Sequence, residues 1–246
     1  MPLLKTKYKP WFMAKPASPA AADKKHIPQE GGAAISAPGG ELRLTLMEWP
    51  KGQLLHRVHQ DKYLATQFNP GMQGNARFSP IQDEKGRAIP TLYGGTSRDC
   101  AMMETVFHDV PHAAGFKSYD KKKLLGQVHS TVLLNAPLVL VDLASVPLRK
   151  LGVTRKQLID TEKDQYPATR LWAAAIYRQC PQAQGLCWVS RQDDSARAVM
   201  LFGDRIAKSA LKPQGPSHSL SEDPASYDAV LDLAERIGVL IVPGRV

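Results

Sequence analysis

Glu104 is a carboxylate at the border of an apolar helix face. Residues 96–108 are predicted to form a helix that ends before Pro111, and Thr96 and Asp99 resemble a capping box at its start. Apolar side chains recur along this helix at helical spacing, namely Cys100, Met103, Val106 and Phe107. A carboxylate at the edge of such a stripe is half-buried, so its charge and hydrogen bonds can act on a ligand. The alternative is an ordinary flanking Glu paired with a nearby Lys.

Two arginines occupy segments that are predicted to form short strands. Arg57 lies in the middle of residues 54–59, whose two faces are both predicted to be mostly buried, and Arg77 lies in the next short strand, "NARFSP". A buried guanidinium needs an anion, because an unpaired buried charge is costly. That anion is either an internal Asp or Glu or the phosphate of a ligand, which the planar fork of Arg suits.

Two further polar side chains stand at the ends of predicted strands. Tyr93 directly precedes Gly94 and Gly95, which permit a sharp turn and the close approach of a ligand. Its ring is either packing or a stacking platform for a nucleobase or a nicotinamide. Ser190 ends the strand "GLCWVS" and is either a turn residue or part of a site. No G-x-S-x-G sequence surrounds it, so a serine hydrolase is not favoured.

Other common catalytic patterns are missing from the sequence. The seven histidines show no zinc-binding spacing, and no G-x-G-x-x-G follows a strand. His108 is expected to be a residue at the C-terminal end of its helix rather than a ligand. The cysteines lack metal-ligand spacing and are expected to be reduced, buried thiols; they are Cys100, Cys180 and Cys187. We therefore expect no metal site and no catalytic cysteine.

The formal net charge of +9 favours an anionic partner. Nucleic acid, a phosphate-bearing small molecule and an acidic protein all fit this charge. The positive residues occur in short clusters such as 121–123 and 149–150, without a zinc-finger, RNP or helix-turn-helix pattern, so direct DNA binding is not expected. No apolar run approaches the roughly 20 residues that cross a bilayer, and no apolar segment follows the basic N-terminus. We expect a cytoplasmic protein with no membrane contact.

The composition changes near residue 42. Residues 1–41 are rich in Pro, Ala, Gly and Lys and are predicted to be a flexible arm. Residues 42–246 are predicted to form one catalytic domain, with its core at about 50–206 and a C-terminal helix and strand within 226–242.

Within this domain the pattern predicts many short strands and a few helices. The helices include a short one capped by Thr154 and a longer one at about 167–179, and residues 208–225 are predicted to be a polar loop. Such a mixture is typical of an α+β architecture.

The order of the polar residues resembles that of the RES family, which takes its name from an Arg, a Glu and a Ser. Arg57 is followed by "ARFSP", "LYGG", the helix with Glu104, and Ser190. The resemblance covers roughly residues 50–206 and includes "TSRDCAMMETVFH", "PATRLWAAAIY" and "GLCWVSR". Five motifs in this order are specific, whereas one alone would be weak.

The resemblance implies a fold similar to that of ADP-ribosyltransferases, with short mixed or antiparallel strands and a few helices. It implies the toxin of a bacterial toxin–antitoxin pair, whose partner is an Xre-type antitoxin that occludes the pocket. It also implies an enzyme that consumes NAD+ without a metal. The ADP-ribose would pass to water, to phosphate or to a protein target.

The same resemblance assigns roles to the candidate residues. Arg57 and Arg77 would hold the pyrophosphate, and Tyr93 would stack near nicotinamide. Glu104 would bond the ribose hydroxyl, and Ser190 would support the site. Cleavage of the nicotinamide–ribose bond passes through an oxocarbenium-like state, which a nearby carboxylate stabilises. The alternative function is a non-enzymatic basic module that binds nucleic acid or an acidic protein.

Overall fold

Residues 35–244, which a computed structural model describes, alternate short strands with short helices. The strands are β1 (Leu46–Trp49), β2 (Leu54–Gln60), β3 (Thr91–Gly95), β4 (Lys117–Asp120), β5 (Gln127–Leu134), β6 (Leu138–Asp142), β7 (Gly185–Val189), β8 (Arg197–Phe202), β9 (Leu211–Pro213), β10 (His218–Ser219) and β11 (Val239–Val242). The α-helices are α1 (Arg98–Met103), α2 (Ser145–Leu151), α3 (Arg155–Leu158), α4 (Tyr166–Gln179) and α5 (Pro224–Arg236). Within this range, none of the helices has the length and apolar character that a membrane span requires.

Nine of these strands form one sheet. Their order is β1-β6-β7-β8-β3-β2-β5-β10, and β9 also pairs with β5. β6 and β7 are parallel, whereas the other neighbours in this sheet are antiparallel. β4 and β11 form a separate parallel pair. The α+β class predicted from the sequence, with mixed and mainly antiparallel strands, is confirmed.

The main sheet is weakly joined between β2 and β3. β2 pairs with β5 along its full length but with β3 only through His56 and Gly95. On its other side β3 pairs with β8 along its full length. Beyond the single pair the two strands no longer share a hydrogen-bond ladder. Val58 on β2 and Tyr93 on β3 line the cavity that opens there.

Gly94 and Gly95 let β3 approach its neighbours closely. A Cβ atom on Gly94 would lie 2.6 Å from Cδ1 of Leu55 and 2.9 Å from the carbonyl oxygen of His56, both on β2. A Cβ atom on Gly95 would lie 2.7 Å from Sγ of Cys100 in α1. The two glycines therefore lie within the strand, and the packing of β2 and α1 against β3 requires them.

Apolar side chains pack on both faces of the main sheet and hold the helices in place. Trp172 and Ile176 of α4 belong to a buried cluster that includes Trp188 of β7. A second cluster joins Met102 of α1 and Val230 of α5 to β2. Each fully buried large apolar side chain contributes roughly 1.5–3 kcal/mol to folding. α1 and α4 are thus fixed on the strands whose side chains form the cavity.

The N-terminus of α1 differs from the prediction. The N-cap is Ser97, whose Oγ accepts a hydrogen bond from the Cys100 N–H at 3.0 Å. The hydroxyl of Thr96 instead accepts the N–H of Arg197 at 2.9 Å. The predicted capping box starting at Thr96 is therefore wrong, because Thr96 is used to attach the chain to β8.

The C-terminus of α1 also differs, because the helix ends at Met103 and not near residue 108. The N–H groups of Val106 and Phe107 both donate to the carbonyl of Met102, at 2.7 and 3.0 Å. These bonds tighten the chain into turns that still bury both side chains. The apolar side chains keep a helical spacing although the helix is not continuous, which explains why the predicted helix was too long.

Two more predicted segments need correction. Residues 75–80 are irregular rather than a strand, because their N–H groups are used locally: Ala76 donates to the carbonyl of Ser79 and Phe78 to the hydroxyl of Tyr93, each at 3.1 Å. The predicted loop at 208–225 contains β9 and β10, which pair with β5. By contrast, the helix cap at Thr154 and the helix near 167–179 are confirmed.

Most of the predicted flexible arm, residues 1–34, lies outside the described residues. The part that is described, residues 35–41, contacts α4. The carbonyl of Ser36 accepts the indole N–H of Trp172 at 2.9 Å, and that of Gly40 accepts the amide of Gln179 at 3.0 Å.

Candidate active site

A cavity of about 330 Å³ opens at the point where β2 and β3 separate. This volume is at the lower end of the range of small-molecule sites. Its walls come from β2, β3, β7, β8, α1, the start of α4 and the irregular segment around residue 76. Its polar lining comprises Asn75, Arg77, Tyr93, Glu104, Thr105, His108, Asp109, Lys163 and Tyr166. The structure therefore brings three of the predicted site residues, Arg77, Tyr93 and Glu104, to one cavity.

Glu104 forms the C-cap of α1, and a buried serine fixes its carboxylate. Oε1 accepts the hydroxyl of Ser190 at 2.6 Å and the N–H of Arg191 at 3.3 Å. Ser190 is fully buried after β7, and its Oγ accepts the N–H groups of Gln192 and Asp193 at 3.0 and 3.1 Å. Because both backbone groups are donors, the serine hydrogen is left to point at the carboxylate. Ser190 thus positions Glu104 without lining the cavity itself.

Arg77 is a buried cation whose charge is poorly matched by the protein. Arg77 is only 4% exposed, and its Nε and Nη2 atoms have no hydrogen-bond partner among residues 35–244. The guanidinium carbon lies 5.7 Å from the ring centroid of Tyr166. On the backbone, the hydroxyl of Thr169 donates to the carbonyl of Arg77. Unpaired buried N–H groups on a cation are costly, so this arrangement is suited to an anionic group bound in the cavity.

Helix α4 holds the irregular segment that carries Arg77. Besides the bond from Thr169, the Nε of Arg170 donates to the carbonyl of Ala76 at 3.1 Å, and its Nη2 donates to the side chain of Asn75. A segment without strand pairing is thereby kept rigid, and Arg77 is held at the cavity wall.

Tyr93 and Trp188 supply an aromatic wall. The hydroxyl of Tyr93 accepts the N–H of Phe78 at 3.1 Å, and burial raises its pKa to about 12, so the phenol stays neutral. The ring of Tyr93 packs edge-on against Trp188 with centroids 6.3 Å apart. The indole Nε1 of Trp188 is buried and, like two nitrogens of Arg77, has no partner among the described residues. This side of the cavity is apolar apart from the indole N–H of Trp188, which has no acceptor among the described residues.

Part of the cavity rim is polar and contains two residues that the sequence did not identify, His108 and Tyr166. His108 Nε2 lies 3.1 Å from the hydroxyl of Tyr166, and its Nδ1 lies 2.8 Å from Oδ1 of Asp109. The sequence predicts that His108 lies at the end of a helix, and it gives no indication of a role for Tyr166. The only signal for His108 in the sequence is that it follows Glu104 by four residues, which is about one helical turn.

Arg57 does not reach this cavity. It neighbours Val58 on β2, and successive side chains of a strand point to opposite faces. Its Nη1 donates to the carbonyls of Ala65 and Gln67, each at 2.9 Å, and burial lowers its pKa to about 10. It instead borders a separate cavity of about 320 Å³. The structure therefore brings Arg77, but not Arg57, to the main cavity, and the two predicted pyrophosphate ligands line different cavities.

The chemistry of the remaining reactive groups is limited. All three cysteines are buried and free, as predicted, and burial raises the pKa of Cys100 to about 12. Across residues 35–244, no set of three or more His, Cys, Asp or Glu side chains is arranged to hold a metal ion. What the cavity offers is a fixed carboxylate, an unpaired cation, an aromatic wall and a histidine.

Comparison with known proteins extends this description. The chain matches no curated protein. One solved structure, the crystal structure of the M. tuberculosis MbcT–MbcA toxin–antitoxin complex, contains a similarly folded chain with a TM-score of 0.55 at 15% identity. The likeness covers 75% of this chain and 90% of that chain. It confirms the predicted α+β core. The family model of the RES domain matches residues 54–222, well over half of the chain, and the protein therefore belongs to the RES domain family.

Proposed function

We propose that this protein is an enzyme that cleaves the nicotinamide–ribose bond of NAD+. One observation carries the proposal: an unpaired, buried Arg77 and a carboxylate fixed by Ser190 line the same cavity. NAD+ carries a pyrophosphate, which needs a cation, and its ribose becomes positively charged as nicotinamide leaves. The two charges of the cavity complement these two parts of the substrate.

Arg77 would bind the pyrophosphate. Its two unpaired nitrogens are adjacent members of one planar fork, a geometry that suits two phosphate oxygens. Binding would also remove the penalty of leaving a cation buried without an anion. Because Tyr166 lies under the guanidinium, the fork is already oriented before the substrate arrives.

Glu104 would stabilise the oxocarbenium-like state of the ribose. Its negative charge interacts more strongly with the positive charge of the transition state than with the ground state, which is the requirement for acceleration. The hydrogen bond from Ser190 fixes one carboxylate oxygen, and leaves the other for the ribose hydroxyl. Nicotinamide leaves as a neutral molecule, so its departure needs no general acid. Tyr93 and Trp188 would form the apolar surface next to the nicotinamide.

We further propose that the protein acts in the cytoplasm as the toxin of a toxin–antitoxin pair, with an Xre-type antitoxin that covers the cavity. Support comes from membership of the RES family and from the fold shared with a chain of a toxin–antitoxin complex. The net charge of +9 suits an acidic partner.

The direct test is to incubate the purified protein with NAD+ and to follow nicotinamide release by chromatography. We expect turnover, and we expect Glu104→Gln to lower kcat by at least ~100-fold, on the scale of losing one key electrostatic group. The change keeps the shape of the side chain and removes its charge, and NAD+ binding measured by calorimetry should persist because Arg77 is unchanged.

Glu84→Gln is the matched control, because Glu84 is exposed in a turn outside the cavity. It should keep full turnover. Equal activity of wild type and Glu104→Gln would remove the assigned role. A wild-type protein that leaves NAD+ intact but binds DNA with a steep salt dependence would instead support the basic binding module.

A further inference from the structure

A chain of four polar side chains runs along the rim of the main cavity. Nζ of Lys163 lies 2.5 Å from Oδ2 of Asp109, whose Oδ1 lies 2.8 Å from Nδ1 of His108. Nε2 of His108 lies 3.1 Å from the hydroxyl of Tyr166. All four residues line the cavity that also contains Glu104. None of them is needed for the departure of nicotinamide.

The protonation pattern of this chain follows from its acceptors. Hydrogen bonds from Lys163 and then His108 hold the pKa of Asp109 below its usual range, so Asp109 is an anion and accepts hydrogen bonds only. Nδ1 of His108 must therefore carry the hydrogen that reaches Asp109. In the neutral imidazole, Nε2 then has a free lone pair and accepts the hydroxyl hydrogen of Tyr166.

His108 is also held in place by its surroundings. The side-chain amide of Gln192 donates to its backbone carbonyl at 3.3 Å. The charged groups near it are the anions Asp109 and Glu162. Lys163 pairs with Asp109, Arg191 pairs with Glu162, and Arg77 lies against the ring of Tyr166. An imidazole with one nitrogen fixed by a carboxylate and the other directed at a hydroxyl in a cavity is arranged to accept a proton.

We infer that His108, acting through Tyr166, takes the proton from a neutral hydroxyl acceptor, in the first place water, that captures the ADP-ribosyl group. The inference rests on the proposed function and names the acceptor class for that reaction. An inorganic phosphate dianion already carries the charge of a nucleophile and has no need to lose a proton. A base at this position therefore favours water or another hydroxyl over phosphate.

The bond between the ribose carbon and nicotinamide breaks, and nicotinamide takes the electron pair and leaves neutral. The acceptor oxygen forms the new bond to the same carbon and passes its proton to the oxygen of Tyr166. Tyr166 passes its own proton to Nε2 of His108, and the imidazolium is stabilised by Asp109. His108, whose side chain is 19% exposed, then releases this proton to solvent.

The ratio of the two products, ADP-ribose and its phosphate ester, tests this inference directly. NAD+ is incubated with the protein in an excess of inorganic phosphate, and ADP-ribose and its phosphate ester are quantified by mass spectrometry. Wild type should give mainly ADP-ribose. His108→Gln should shift the ratio of phosphate ester to ADP-ribose upward by about 100-fold, the lower range for a positioned base. Tyr166→Phe, which removes one hydroxyl, should shift the ratio in the same direction.

The controls separate this inference from the proposed function. His112→Gln, an exposed histidine that does not line the cavity, should leave the ratio unchanged. If wild type turns over NAD+ but His108→Gln and Tyr166→Phe lower both products equally, the two residues have a structural role and the inference fails. An unchanged ratio, or phosphate ester as the main product of wild type, overturns it as well. A wild type without any turnover overturns the proposed function and this inference together.

Discussion

Replacing Ser190 by Ala removes the group that orients Glu104. The serine hydroxyl donates to Oε1 at 2.6 Å and is fully buried, so no bulk water replaces it. A hydrogen bond to a charged group contributes about 1.5–3 kcal/mol. If that energy is realised in the transition state, kcat falls by roughly 10- to 150-fold, at about 1.4 kcal/mol for each factor of ten.

The same change also affects stability. The Oγ atom accepts two backbone N–H groups, those of Gln192 and Asp193, at 3.0 and 3.1 Å. Leaving a buried donor without an acceptor costs about 1–3 kcal/mol, so the loss of both acceptor contacts should lower the free energy of unfolding by about 2–6 kcal/mol. Activity must therefore be measured at a temperature where urea unfolding shows the variant to be folded.

The assay is nicotinamide release by wild type, Ser190→Ala, Glu104→Gln and the double variant. Since Ser190 acts through Glu104, its removal should change kcat little when Glu104 is already Gln. Ser145→Ala, an exposed serine at the start of α2, is the matched control and should behave as wild type. Additive losses in the double variant, or full activity of a folded Ser190→Ala, would contradict a role of Ser190 that acts through Glu104.

Three further predictions concern stability. Arg77→Met removes a buried, poorly paired charge, so it should raise the free energy of unfolding by about 1–4 kcal/mol when no substrate is present. The same variant should no longer be thermally stabilised by NAD+. A variant less stable than wild type would contradict this prediction. Gly94→Ala should lower the free energy of unfolding in urea by about 1–3 kcal/mol, because its Cβ would meet Leu55 at 2.6 Å and a backbone oxygen; a neutral effect would show that β2 and β3 can move apart. Burial, followed by repulsion from His56, lowers the pKa of His129 from 6.5 to about 4. The unfolded chain therefore binds the proton more readily, and unfolding free energy should fall by on the order of 3 kcal/mol between pH 6.5 and 4, a loss that should be absent in His129→Gln.

The fold was predictable where local pattern determines structure. β2, β3 and α4 follow from alternation, apolar runs and proline at the first turn, and all three are present. α1 was predicted too long, because the same apolar spacing is satisfied by turns after Met103 that still bury Phe107. Sequence periodicity reports which side chains are buried, and it does not report whether every hydrogen bond of a helix is made.

The site was less predictable, because it depends on contacts between distant parts of the chain. Arg57 and Arg77 both occupy short segments that are predicted to form strands, and only the pleat of β2 decides that Val58, and not Arg57, faces the cavity. Ser190 is 86 positions from its partner Glu104, and Tyr166 is 58 positions from His108. No local spacing reports such pairs. The resemblance to the RES family linked the first pair, and nothing in the sequence linked the second.

The position of β3 between β2 and β8 has a consequence for synthesis on the ribosome. β3 is joined to β2 by one residue pair and is paired along its length only by β8, which ends at Phe202. Ser190, which orients Glu104, also comes late in the chain. A growing polypeptide therefore cannot assemble the cavity until most of its length has emerged, at about 5–20 residues per second. Under the proposed function, an antitoxin that is already present can therefore bind the toxin as soon as the cavity forms.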